Sequence, residues 1–182
     1  MSKALFLDRD GTLVVDTHYL HRPDDLQPLP GVGDALRAAV DAGYRLFLFT
    51  NQSGIGRGYY SLEDAVRCNA CMVEILGFQA DPFTKTCIAP ETPDEPTVYR
   101  KPSPRFILEM REQYGLDPAH CWMVGDKLCD VEAGCNGGIR CAFVRTGKTS
   151  DGEPTDFLQA NGITAFADLA AFVDALLAGN LG

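Results

Sequence analysis

Segments typical of strands alternate with segments typical of helices along almost the whole chain, and this pattern limits the fold to few classes. Strands and helices that alternate at this spacing pair in parallel, because each helix returns the chain across the sheet before the next strand. The sequence therefore predicts an α/β fold with a parallel sheet flanked by helices. The predicted strands cover 3–8, 45–50, 83–88, 121–125 and 140–144, and the predicted helices cover 32–41, 62–76, 103–114, 128–135 and 167–178.

The first predicted strand ends in two acids, Asp8 and Asp10, which are followed by Gly11. A bend at the glycine lets Asp10 turn back toward Asp8, so both carboxylates lie at the carboxyl end of the strand. Two anions this close need a cation or a shared proton, and oxygen ligands with no imidazole beside them suit Mg²⁺. The same spacing also occurs in ordinary turns, where Asp and Gly serve only the backbone.

Polar side chains also follow later apolar segments. Ligands of open α/β sheets bind outside the carboxyl ends of the strands, so we expect these side chains to meet in one crevice with the two acids. Thr50 and Asn51 end the second predicted strand, Asp126 and Lys127 follow the strand over 121–125, and Arg100 and Lys101 end a loop.

Taken in order, Asp8-x-Asp10, Thr50-Asn51, Lys101 and Gly125-Asp126 resemble the four motifs of the haloacid dehalogenase superfamily of phosphotransferases. The resemblance implies a Rossmann-like fold. Members often carry a cap domain inserted after the first motif or before the lysine. Only the loops over 13–29 and 88–100 stand at those places, so we expect a capless, open site.

Further stretches are similar to the D-glycero-D-manno-heptose 1,7-bisphosphate phosphatases of this superfamily. This similarity extends from residue 3 to about residue 150. It implies a Mg²⁺-dependent hydrolase that removes the C7 phosphate of a small phosphorylated sugar. The stretches lie at 15–21, 50–58, 100–102, 123–130 and 145–148.

The resemblance also implies roles for the acids. Asp8 is expected to attack phosphorus and form an aspartyl phosphate, while Asp10 protonates the leaving oxygen and later activates water. Asp8, Asp126 and the backbone carbonyl of Asp10 are expected to hold the Mg²⁺. Asp130 lies one helical turn beyond Asp126 and is interpreted either as a group that orients Lys127 or a metal-bound water, or as a plain surface acid.

Phosphate and substrate binding are assigned to a second set of residues. Thr50 and Lys101 are expected to bind phosphate oxygens, together with backbone N–H groups around Arg9 and Asn51. Positive side chains near the motifs are expected to bind the rest of the substrate. These are Arg57, Arg100 and Lys127, and Tyr19 and His21 are expected to lie beside them.

Two other functions stay open from the sequence. Histidinol phosphate is the alternative substrate within the same family, although Arg57 supplies positive charge that a second phosphate needs and an amino alcohol does not. A noncatalytic phosphosugar-binding protein is the alternative from another class. The presence of Asp8, Asp10, Lys101 and Asp126 argues against it.

Relatives of this kind hold a structural zinc in the loop before the Arg-Lys-Pro motif. Here Cys87 matches the first ligand, but Ala89, Thr97 and Tyr99 stand where the other ligands are expected. One ligand of four does not make a tetrahedral site, so we expect no structural zinc.

Composition bounds the partners and the compartment. A net charge of −9 opposes sequence-independent binding of nucleic acid, which needs clustered Lys and Arg. With 182 residues and 46% hydrophobic content, we expect one domain over residues 1–182. We find no secretory signal or membrane-spanning segment, so we expect a cytoplasmic monomer with no membrane partner, whose seven cysteines are reduced.

Overall fold

The computed structural model describes residues 2–148 and 153–181 of the protein. The described residues form a six-stranded sheet in the order β3-β2-β1-β4-β5-β6, and each neighbouring pair is parallel. The ends of the expected domain and the segment 149–152 lie outside the described residues. The strands are Ser2–Leu7 (β1), Tyr44–Asn51 (β2), Phe83–Ala89 (β3), Leu116–Gly125 (β4), Arg140–Val144 (β5) and Thr164–Phe166 (β6).

Helices cover both faces of the sheet. Along β1, Leu5 and Leu7 pack into one buried cluster while Ala4 and Phe6 pack into another on the opposite face. This is why β1 is apolar at successive positions, as is typical of a parallel strand covered on both sides. The helices are Val32–Asp41 (α1), Ser53–Gly56 (α2), Leu62–Ile75 (α3), Arg105–Tyr114 (α4), Leu128–Asn136 (α5), Thr155–Ala160 (α6) and Leu169–Leu177 (α7).

The prediction of a Rossmann-like α/β fold is confirmed, with differences at several element ends. β4 begins at Leu116, ahead of the predicted 121, because its first residues pair with the start of β1 across a shift in register. The short elements α2, α6 and β6 were not predicted, since segments of this length carry little periodic signal.

The topology places the polar motifs together. β1 lies between β2 and β4, so the strand order reverses beside the end of β1. The loops over 13–29 and 88–100 hold no inserted domain, and only a single 3₁₀ turn, Pro23–Asp25, occurs in the first of them. Within the described chain, none of the helices is both long enough and apolar enough to cross a bilayer.

Candidate active site

Asp8 and Lys101 form the buried centre of the site. Asp8 directly follows β1, and its N–H donates to the carbonyl of Val124 in β4 at 3.0 Å, which holds it at the strand ends. The Nζ of Lys101 lies 2.6 Å from Asp8 Oδ1 and donates to the carbonyl of Phe49 at 2.7 Å. The predicted convergence of these two residues is therefore observed.

Lys101 is held by two carboxylates. Its Nζ also lies 2.7 Å from Oδ1 of Asp130, so the ammonium group faces Asp8, Asp130 and the Phe49 carbonyl together. Burial alone would lower the pKa of Lys101, but the two carboxylates outweigh burial and raise it above its ordinary value. Lys101 therefore stays charged and offsets the negative charge of the two carboxylates.

The backbone of Lys101 is fixed by Asn51. The Lys101 N–H donates to Asn51 Oδ1 at 2.9 Å, and Asn51 Nδ2 donates to the Lys101 carbonyl at 3.2 Å. Asn51 ends β2, so this pair of hydrogen bonds ties the loop that carries Lys101 to the sheet. The side chain of Asn51 positions Lys101, a role that the sequence did not reveal.

Asp126 has the features of a cation ligand. Its Oδ2 is buried and has no hydrogen-bond partner among the described residues. Burial, followed by the charges of Asp8 and Asp130, raises the pKa of Asp126 to about 8. One carboxylate oxygen each from Asp8, Asp126 and Asp130 lie within 4.8 Å of one another. An all-oxygen set that includes a buried carboxyl oxygen without a hydrogen-bond partner fits Mg²⁺.

Asp130 is buried, which contradicts its interpretation as a surface acid. Its Oδ2 accepts from the N–H of Lys127 at 2.9 Å at the start of α5, so it orients the backbone there. The N-cap residue of α5 is Lys127 and not Asp126. The Asp126 carboxylate is thus free of capping.

The carboxylate of Asp10 is held by Arg9 and Gln52 beside the acidic cluster. Arg9 donates to both of its carboxylate oxygens at 3.1 Å, and Gln52 Nε2 donates to its Oδ2 at 2.8 Å. Burial raises the pKa of Asp10 in spite of the adjacent guanidinium. A raised pKa suits a group that must alternate between donating and accepting a proton. The carboxylate of Asp10 is not in the acidic cluster, so any metal contact is left to its backbone carbonyl.

The Arg9 side chain has a structural role. It is fully buried and also donates to Asn69 Oδ1 at 3.0 Å and to the Leu20 carbonyl at 2.8 Å. Four hydrogen bonds commit this guanidinium to Asp10 and the surrounding frame. The expected phosphate contact near Arg9 is therefore limited to the backbone.

Sequence analysis missed the pair Gln52 and Tyr60. The Tyr60 hydroxyl donates to Gln52 Oε1 at 2.6 Å, and Gln52 Nε2 donates to both Asp10 and the Thr50 hydroxyl at 2.8 Å. Both residues are buried. The only available signal was the position of Gln52 directly after the Thr50-Asn51 motif.

A cleft of about 210 Å³ opens beside the buried acids, and Asp10, Tyr19, Arg100 and Lys127 line it. Tyr19 has a φ of 58°, in the left-handed region that residues with a side chain rarely adopt. Lys127 Nζ lies 3.0 Å from Asp16 Oδ2, which fixes the ammonium at the rim. The structure therefore brings three predicted substrate-binding residues to one opening.

Three other predicted residues do not line this cleft. Arg57 is exposed and does not line this cleft. Thr50 is fully buried, and its hydroxyl accepts from Gln52. His21 stacks on the ring of Tyr60 with centroids 4.9 Å apart, and its Nδ1 is 2.7 Å from the Tyr19 carbonyl. A larger cleft of about 440 Å³ between α3 and β3 contains none of the predicted site residues.

The sequence of this chain is similar to those of several phosphatases. A family model described as HAD-hydrolase-like matches residues 98–170. A protein of Haemophilus ducreyi named D-glycero-beta-D-manno-heptose-1,7-bisphosphate 7-phosphatase is 37% identical over 94% of this chain and 98% of its own length. A Pseudomonas aeruginosa protein of the same name is 35% identical over 97% and 99%. The chain belongs to this HAD phosphatase family.

Solved structures agree with the family. The D,D-heptose 1,7-bisphosphate phosphatase of B. bronchiseptica, complexed with magnesium and phosphate, matches with a TM-score of 0.84 and 28% identity over 97% of this chain and 99% of that one. A HAD-like phosphatase from Mesorhizobium loti matches with a TM-score of 0.68 and 34% identity over 84% and 74%. As a HAD phosphatase, the protein is a phosphoric monoester hydrolase. Its acidic cluster fits the magnesium of this family.

Proposed function

We propose that this protein hydrolyses the C7 phosphate of D-glycero-D-manno-heptose 1,7-bisphosphate in a Mg²⁺-dependent reaction. The observation that supports this most is the contact between Lys101 and Asp8 beside the unpaired oxygen of Asp126. A carboxylate nucleophile beside a lysine and a group of acids that can hold a metal is what phosphoryl transfer to a carboxylate requires. The identity of the sugar in this proposal comes from the names of the relatives.

Asp8 is proposed as the nucleophile. Its carboxylate oxygen attacks phosphorus, a bond forms between that oxygen and phosphorus, and the bond from phosphorus to the sugar oxygen breaks. Asp8 and Asp126, with the backbone carbonyl of Asp10, would hold the metal. When bound, Mg²⁺ supplies positive charge that offsets the negative charge of the phosphate and the carboxylates. Lys101 lies beside the Asp8 carboxylate and offsets negative charge at the transfer site.

Asp10 is proposed as the general acid and base. In the first step its proton passes to the leaving sugar oxygen. In the second step Asp10 takes a proton from water, whose oxygen attacks phosphorus and releases inorganic phosphate from Asp8. Arg9 and Gln52 hold the carboxylate at two oxygens, so its orientation is set before substrate binds.

The cleft beside Asp10 is proposed to hold the sugar and its second phosphate. Arg100 and Lys127 supply positive charge at its wall, and Tyr19 offers an aromatic face to the sugar. The expectation for Arg57 has less support, since it lies outside the cleft. The relatives are named for both anomers, the beta form in Haemophilus ducreyi and the alpha form in Photorhabdus laumondii.

Histidinol phosphate is less well matched to this cleft. Its amine would call for an acidic partner, and Asp16 is the candidate at the wall. That carboxylate already pairs with Lys127 at 3.0 Å and accepts from the N–H of His18 at 2.8 Å. A noncatalytic sugar-phosphate binder has little support, because Asp8, Asp10 and Lys101 are all arranged for chemistry.

A substrate panel with one enzyme preparation tests this proposal. Phosphate release from the alpha and beta anomers of heptose bisphosphate, from histidinol phosphate and from p-nitrophenyl phosphate is measured with Mg²⁺. We expect kcat/KM for one heptose anomer to exceed that for histidinol phosphate by about 100-fold. Equal values of kcat/KM for heptose bisphosphate and histidinol phosphate would contradict the proposed substrate. No release from any of them would contradict the activity.

We also propose that the protein acts as a cytoplasmic monomer with one domain over residues 1–182, holds no structural zinc and binds neither nucleic acid nor membrane. The net charge of −9 supports the part that concerns nucleic acid. Size-exclusion chromatography with light scattering tests the oligomeric state.

A further inference from the structure

We propose that Glu91 is a positioning residue that holds Arg100 at the wall of the substrate cleft and so contributes to substrate choice. This inference rests on the proposed function, because it concerns the part of the substrate beyond the reacting phosphate. Glu91 follows β3 in the loop over 90–100 and does not line the cleft itself.

The carboxylate of Glu91 gathers three successive backbone amides. Its Oε1 accepts from the N–H groups of Val98 at 3.2 Å, Tyr99 at 2.7 Å and Arg100 at 3.4 Å. These bonds join the beginning and the end of the loop. A carboxylate that accepts several backbone N–H bonds is stabilised in its charged form.

The backbone of Glu91 holds the tip of the same arginine. Nη1 of Arg100 donates to the Glu91 carbonyl at 3.1 Å. Glu91 thus binds Arg100 at its backbone and at its guanidinium. A long side chain fixed at both ends loses little further entropy when it binds a ligand.

Other contacts secure the neighbours of Arg100 but not its side chain. The Tyr99 hydroxyl donates to Glu109 at 3.0 Å, and Ser103 Oγ donates to the Val98 carbonyl at 2.8 Å. Without the Glu91 carboxylate, the loop would keep these anchors but lose the three amide bonds that join its two ends. The Glu91 carbonyl that accepts from the guanidinium would then no longer be held in place opposite Arg100. The expected defect is therefore local to the cleft and leaves the buried acids in place.

The environment of the second carboxylate oxygen of Glu91 indicates that the negative charge of this group strengthens its contacts with the loop. Oε2 is buried and has no hydrogen-bond partner among the described residues. Burial opposes the charged form, yet the three amides more than offset it, and the pKa of Glu91 lies below its ordinary value. An amide at this position would keep the shape but weaken the contacts.

Steady-state kinetics of Glu91→Ala test this inference. KM is measured for heptose bisphosphate and for p-nitrophenyl phosphate, which has no second phosphate. We expect about a tenfold rise in KM for heptose bisphosphate and less than a threefold rise for p-nitrophenyl phosphate, with kcat little changed. The matched control is Glu95→Ala, an exposed acid in the same loop that contacts the Thr92 N–H and not Arg100.

A double-mutant cycle with Arg100→Ala separates positioning from general damage. If Glu91 acts through Arg100, Glu91→Ala has no further effect on KM in the Arg100→Ala protein. An added tenfold rise in that background, or equal rises for both substrates, would overturn the inference. Should Glu91→Ala fail to fold, Glu91→Gln decides, with a rise of about threefold confined to heptose bisphosphate. A wild-type enzyme that hydrolyses neither substrate would instead contradict the proposed function.

Discussion

Asp130 and Asp8 share the ammonium group of Lys101, whose Nζ lies 2.7 Å from the first carboxylate and 2.6 Å from the second. Asp130 is almost fully buried and Asp8 nearly so. One cation therefore compensates two buried negative charges. It does so beside Asp126, whose Oδ2 has no hydrogen-bond partner among the described residues. The stability of the site and its reactivity depend on the same lysine.

Replacing Lys101 by Met is expected to destabilise the protein by about 3–5 kcal/mol and to abolish turnover, because two buried carboxylates lose their counter-ion. Urea denaturation at pH 7 measures the free energy of unfolding. Lys85→Met is the control, since Lys85 is exposed on the edge strand β3 and should shift that free energy by less than about 0.5 kcal/mol. A stable Lys101→Met protein would show that the acids are already neutral.

Asp8→Asn should lower kcat by at least about 1,000-fold and leave the fold unchanged, because an amide is a poor nucleophile of nearly the same shape. Phosphate release and circular dichroism are measured on the same sample. Asp24→Asn, an exposed residue of the 3₁₀ turn, is expected to keep full activity. Residual activity above one per cent in Asp8→Asn would point to another nucleophile.

The raised pKa of Asp126 makes the metal-free protein sensitive to pH. The folded protein keeps a proton up to a pKa of about 8 that the unfolded chain releases near 3.8. The free energy of unfolding of metal-free protein therefore falls as the pH rises between these values. Asp126→Asn should remove this slope and add on the order of 2 kcal/mol at pH 8 in EDTA, while activity is lost.

Mg²⁺ should reverse that ranking. Saturation at about 100 times the dissociation constant stabilises the wild type by about 2.7 kcal/mol and leaves Asp126→Asn almost unchanged. Thermal unfolding with EDTA and with Mg²⁺ measures both effects. EDTA alone should stop turnover without unfolding the chain, and an Asp126→Asn protein less stable than wild type in EDTA would refute the charge argument.

Tyr60→Phe removes the hydroxyl that holds Gln52 and leaves the ring stacked on His21. We expect kcat for heptose bisphosphate to fall about tenfold, because Asp10 loses its fixed orientation as general acid. p-Nitrophenolate needs little protonation as it leaves, so kcat for p-nitrophenyl phosphate should fall much less. Tyr59→Phe, on an exposed neighbour, is the matched control. An equal loss for both substrates would exclude a role through the acid.

The free energy of unfolding at acid pH tests the contribution of the Glu91 carboxylate. The pKa of Glu91 in the folded protein lies below its ordinary value of 4.5. The stability that Glu91 contributes is therefore complete above pH 4.5 and disappears as the pH falls through the lower, folded pKa. Glu91→Gln should unfold about 1 kcal/mol more easily at pH 7, and the difference from the wild type should disappear as the pH falls below the folded pKa of Glu91. Urea titrations at several pH values measure this difference, and a constant difference across the range would contradict it.

Local signals were enough to predict some of these features. The apolar run that ends at Asp8 predicted both a central strand and a carboxylate at its end, because strand burial and strand termination are read from adjacent residues. The start of β4 at Leu116 was not predictable in this way. Those residues join the sheet by pairing with β1, which lies near the start of the chain and far from them in sequence.

The sequence by itself determined the α/β class, the strand ends that carry Asp8, Thr50 and Asp126, and the family. These features are written in short apolar segments and in motifs that occupy adjacent positions. Only the tertiary structure decided which polar groups pair. In the folded protein Asp130 pairs with Lys101, and Gln52 donates a hydrogen bond to Asp10. Arg57 lies outside the cleft. The physical reason is that a charged side chain is compensated by whichever group the fold brings near it, and that neighbour is often distant along the chain.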